Sequence, residues 1–103
     1  MQFKNATITA KANVYFDGKV VSHAVILENG EKKTIGTIFP GEYKFNTSAA
    51  ERMEIIAGKS KVCIDSSAEW IDYNEGTFFD IPADSSFKIK VESGITEYVC
   101  SYI

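Results

Sequence analysis

The sharpest alternation in the chain lies towards its C-terminal end, where Phe87, Ile89 and Val91 interleave with Lys88, Lys90 and Glu92. A period of two predicts a strand with one face buried and one in water. Beyond it, Tyr98, Cys100 and Tyr102 share one face of a last strand, with Val99, Ser101 and Ile103 on the other. Residues Glu42 to Thr47 alternate in the same way and put Tyr43, Phe45 and Thr47 on one face. Further strands are predicted at 14–16, 19–27, 32–39, 53–57, 61–64, 70–73 and 77–81, and Thr7-Ile8-Thr9 suits an edge. Residues 48–52 read as a short connection and 65–69 as a polar loop. No segment sustains a helical period, so about ten short strands predict an all-β domain, a sandwich or small barrel.

Turn chemistry supports these limits. Asn29-Gly30 is a strong two-residue hairpin signal, since both residue types tolerate positive φ. Pro40-Gly41 ends one strand, because proline removes a ladder donor and glycine permits the reversal. Gly18, Gly58, Gly76 and Gly94 punctuate the rest.

Composition then narrows the chemistry. With 103 residues, the chain makes one domain with a single core. A net charge of −3 argues against a nucleic-acid binder. No apolar run nears the roughly 20 residues that span a bilayer, and the opening MQFKNATITAK lacks the apolar centre of a signal peptide. The expectation is a cytoplasmic protein with no membrane partner, in which Cys63 and Cys100 stay reduced. His23 is the only histidine and the cysteines form no close pair, so no multi-histidine or zinc site is expected.

Two segments resemble the paired motifs of the cupin family. Glu51, six residues and Gly58 match the end of the first motif, with Phe45 and Thr47 where cupins carry a His-x-His pair. Gly76, five residues and Pro82 match the second, with Phe87 in place of its histidine. The turn skeleton is kept and the metal ligands are replaced, so this resemblance implies a cupin-type β-barrel, a small jelly roll without substantial helix. It also implies that Phe45, Thr47, Glu51 and Phe87 line the interior. Two aromatics, a hydroxyl and a carboxylate suit a flat organic molecule better than a metal.

A narrower resemblance runs from about residue 12 to residue 103. Asn13-x-Tyr15-Phe16-x-Gly18-Lys19-Val20, Pro40-Gly41-Glu42-Tyr43-x-Phe45-x-Thr47 and Glu51-x-Met53 carry its first half. Trp70, Gly76-x-Phe78, Ile81-Pro82-Ala83, Ser85-Ser86-Phe87 and Tyr98-x-Cys100-x-Tyr102 carry the second. These blocks are similar to the pyrimidine/purine nucleoside phosphorylase family. The resemblance implies phosphorolysis of many nucleosides to free base and ribose 1-phosphate, with no cofactor.

Such chemistry needs a site for phosphate, a carboxylate near the sugar and a donor for the base. Glu51 is the catalytic candidate: it can hold ribose hydroxyls, counter the cationic sugar or, when protonated, donate to the base. Tyr43, Phe45, Thr47, Phe87, Tyr98 and Tyr102 are the candidates for binding substrate. Phosphate is assigned to Lys19, to Arg52 as the only arginine, and to Ser86. Lys44, Lys88 and Lys90 read as solvated, and His23 as structural. Val99 and Ile103 are expected to be exposed on the last strand, where they would suit a homodimer interface.

Overall fold

The computed structural model describes residues 1–65 and 67–103, so Ser66 of the polar loop expected at 65–69 lies outside it. Eleven strands follow in order: β1 (Thr7–Ile8), β2 (Asn13–Tyr15), β3 (Val20–Ile26), β4 (Lys32–Ile38), β5 (Gly41–Asn46) and β6 (Glu51–Ala57). The second half supplies β7 (Lys59–Ile64), β8 (Ile71–Asn74), β9 (Phe78–Ile81), β10 (Ser86–Val91) and β11 (Thr96–Tyr102). A 3-10 turn over Phe16–Gly18 is the one helical element among the described residues, and none is long and apolar enough to cross a membrane.

The strands form two antiparallel sheets. The larger runs β1-β3-β4-β11-β6-β9, with β2 also paired to β3; the smaller runs β5-β10-β7-β8. The cupin-type jelly roll expected from the motifs is formed; among the described residues no ladder joins the two sheets, so the barrel stays open as a sandwich. Pro82 follows the last residue of edge strand β9 and has no N–H with which to extend a ladder.

The core lies between the inner faces. Val20, Ile38, Ile55, Val62, Ile81, Ile89 and Val91 are almost wholly buried there, and each contributes about 1.5–3 kcal/mol by leaving water. The alternation read for β10 holds, with Phe87, Ile89 and Val91 inward.

Three local expectations change. Leu27 N–H donates to Glu31 O at 2.8 Å and Gly30 N–H to Leu27 O at 2.9 Å, and only Gly30 takes positive φ, at 90°. The hairpin therefore closes with a single left-handed glycine, and Asn29 uses its side chain instead, accepting from Glu31 N–H at 3.0 Å. Residues 51 and 52 belong to β6, paired with Ile81 and Asp80, and not to a connection. Val99, expected to be exposed, is buried at 4%. It faces a shallow hollow on the outer side of the larger sheet, which Met1, Phe3 and Ile8 share with Val21 and Ile35. Ile103 is exposed as expected, at 62%.

Candidate active site

A cavity of about 480 Å³ opens between the two sheets, within the range of small-molecule sites. Its walls differ in chemistry. Phe45 and Phe87, paired across β5 and β10, stack with centroids 5.5 Å apart and 24° between their planes. Phe16 and Tyr15 meet Phe45 edge-on, at 5.5 and 6.1 Å. Phe16 and Asp17 both hold φ above +50°, a conformation rare for a bulky residue, and this turn brings the Phe16 ring against β5.

Opposite the rings, the inner face of the larger sheet supplies polar groups: Ser22, Thr34, Glu51, Tyr98, Cys100 and Tyr102. Glu51 begins β6 and faces Tyr102 at the end of β11. Burial raises the Glu51 pKa above the usual carboxylate range, and a hydrogen bond from the Cys100 thiol partly offsets the rise. Burial also pushes the Tyr98 hydroxyl up to about 12, and burial with the nearby Glu51 charge pushes the Cys100 thiol to about 12. Both stay protonated at neutral pH and can donate hydrogen bonds.

The candidates named from sequence divide into two sets. Phe45, Glu51, Phe87, Tyr98 and Tyr102 all line the cavity. Tyr43 and Thr47 do not. The Tyr43 hydroxyl lies 2.8 Å from Phe39 O and 2.9 Å from Pro40 O, tying the β4–β5 corner. The Thr47 hydroxyl donates to Pro82 O at 2.7 Å and accepts from Ser85 N–H at 3.0 Å.

The three phosphate candidates also lie off the cavity lining. Alternation along β6 turns Arg52 outward, where its guanidinium makes a two-point pair with Asp80 at 2.8 and 3.0 Å and covers the Phe78 ring. Lys19 is exposed after the 3-10 turn, and Ser86 begins β10. His23 sits on the outer face, its Nδ1 3.2 Å from Thr9 O.

Lys44 is exposed, as its alternation predicts, and it also stands at the cavity with Asn46, a place that sequence reasoning did not give either residue. Edge strand β5 has a neighbour on one side only, so its outward residues reach the mouth. Ser22, Thr34 and Cys100 were also unassigned. Their common feature is cross-strand register, with Thr34 opposite Cys100 and Ser22 two strands from Tyr98. Among the described residues, no group of three or more His, Cys, Asp and Glu stands together as a metal site.

The fold and cavity define a small cupin-type protein with an aromatic wall facing a half-buried carboxylate. Its likeness to known proteins is more specific. A family model described as pyrimidine/purine nucleoside phosphorylase matches residues 10–102, and the chain belongs to that family. A curated pyrimidine/purine nucleoside phosphorylase of Clostridioides difficile (strain 630) is 52% identical over 99% of this chain and 96% of its own. One of Herminiimonas arsenicoxydans is 50% identical over 99% and 97%. Among solved structures, a DUF1255 protein of unknown function from Acinetobacter sp. ADP1 superposes with a TM-score of 0.96 at 41% identity, over 99% of this chain and 98% of that one. Oxalate decarboxylase of Bacillus subtilis shares the fold alone, with a TM-score of 0.75 at 16% identity over 99% of this chain and 30% of its own.

Proposed function

We propose that this protein phosphorolyses purine and pyrimidine nucleosides without a metal, releasing free base and ribose 1-phosphate. The observation that carries the reading is the half-buried Glu51 facing a stacked pair of rings, in a chain whose full-length relatives bear the nucleoside phosphorylase name. Phe45 and Phe87 offer a π-face, which every base can meet. That accounts for tolerance of both base classes, because an edge-reading site would reject one of them.

In the reaction a phosphate oxygen bonds to C1′ of the ribose as the C1′–N bond breaks, and the bonding pair leaves with the base. The proton shed by phosphate ends on the base nitrogen. Positive charge gathers on the sugar in the transition state. A desolvated, ionised carboxylate gains most from meeting that charge, so Glu51 is placed against the ribose. The neutral donors Tyr98 and Cys100 orient the sugar or base. Lys44, the cation at the cavity, takes the phosphate in place of the three residues expected from sequence. The protein acts in the cytoplasm as a homodimer in this reading.

The test is to incubate the protein with inosine and with uridine, with and without phosphate, and to measure free base. Release from both, dependent on phosphate, is expected, and Lys44→Ala should raise the KM for phosphate roughly tenfold. Release that ignores phosphate would make the protein a hydrolase. No release from either nucleoside would leave a non-catalytic binding domain.

A further inference from the structure

Three residues lie in one row across the larger sheet beneath the cavity: Ser22 on β3, Gly36 on β4 and Tyr98 on β11, each opposite the next. The Tyr98 ring lies over Gly36 on the middle strand, and the Ser22 hydroxyl beyond it accepts from Asn13 Nδ2 at 3.4 Å. Two inter-strand spacings, roughly 10 Å, separate Tyr98 from Ser22. The ring can lie there only because the residue beneath it has no side chain.

The geometry bears this out. A Cβ at Gly36 would stand 2.5 Å from Tyr98 Cζ, 2.6 Å from its Cε1 and 2.6 Å from its hydroxyl oxygen. Gly36 does not have positive φ, unlike the six glycines of the turns and strand ends. Its backbone conformation is one that alanine adopts freely, so the glycine serves the ring above it and not the chain path. Tyr98 is buried and lines the cavity. A side chain at position 36 would therefore push the ring off the floor and into the empty space.

We propose that Gly36 is a specificity-determining residue: by letting Tyr98 lie flat, it sets the depth of the cavity and so admits the two-ring bases as well as the one-ring bases. This deepens the phosphorylase reading and rests on it. A raised ring shortens the pocket and penalises a purine more than a pyrimidine. Gly36 touches no substrate; it acts through Tyr98 as a positioning residue.

The test is Gly36→Ala, with kcat and KM measured for inosine and uridine and a crystal structure of the variant. The inosine-to-uridine ratio of kcat/KM is expected to fall roughly tenfold or more, carried mainly by a higher KM for inosine. The Tyr98 ring should be displaced towards the cavity. The double variant Gly36→Ala/Tyr98→Leu, which removes the displaced ring, should bring the ratio back towards its original value. Equal losses for both nucleosides in a folded Gly36→Ala protein would overturn the specificity role. A ring still lying flat in the variant crystal would overturn its structural basis. Should the unmodified protein release base from neither nucleoside, the phosphorylase reading fails by itself, and the ring position still decides the packing claim.

Discussion

At the scale of single residues, the proposed chemistry gathers on Glu51. Its folded-state pKa is raised chiefly by burial, so the native state holds that proton more tightly than the unfolded chain does. Stability from this group is therefore complete below the ordinary glutamate pKa and falls as pH rises from there through the raised value. Glu51→Gln removes the titration, and its denaturant midpoint is expected to exceed that of the unmodified protein at pH 7 and to match it near pH 4. In the proposed phosphorolysis the same substitution should lower kcat roughly 10²–10³-fold, because the charge proposed to oppose the ribose is lost. Unfolding curves at several pH values, with steady-state rates, check both outcomes. Glu51 was legible in the sequence because motif spacing aimed it inward. Lys44 was not, since alternation tells in from out and says nothing of a strand's place at a sheet edge.

At the scale of elements, the corner joining β5 to β10 depends on one hydroxyl. Thr47 donates to Pro82 O and accepts from Ser85 N–H, while its backbone N–H donates to Ser85 O at 2.9 Å. The side chain is 7% exposed, so water cannot replace these bonds. Thr47→Val is expected to cost about 1–3 kcal/mol by leaving buried partners unpaired. Thr47→Ser, which keeps the oxygen, should recover most of that loss. Urea unfolding of the two variants distinguishes this latch from a hydroxyl used only by substrate, whose loss would leave stability unchanged. The strands themselves were largely legible, since glycine spacing and alternation mark most of them to within a residue or two. Glu51 and Arg52 escaped the strand pattern for a physical reason. One faces a polar cavity and the other solvent, so neither supplies the apolar position that marks a buried face. Ser22 and Gly36 escaped for another: their role arises from register between strands distant in sequence.

At the scale of the molecule, the two sheets divide the labour. The smaller carries the stacked rings on β5 and β10, and the larger carries the carboxylate and most of the hydroxyl donors. All-β architecture, as a sandwich or a barrel, followed from periodicity, but the choice between the two did not, because closure depends on strand pairings that local patterns do not encode. The N-terminal residues likewise line one hollow with Val99, a long-range juxtaposition invisible to alternation. With Val99 buried, the end of β11 exposes only Tyr102 and Ile103 as large apolar side chains, and Ile8, Val14 and Phe78 are exposed elsewhere. The homodimer reading then predicts a light-scattering mass near twice the 11.4 kDa of one chain; a mass of one chain would count against it.

The end of β11 has one more use. Tyr102 pairs with Glu51, and Ile103 N–H donates to Ala50 O at 3.0 Å, which pins position 103 beside the carboxylate while leaving its side chain in water. An environment-sensitive dye carried at position 103 would sit at the rim of the pocket, and its emission would report nucleoside entry directly, turning the protein into its own optical sensor of occupancy.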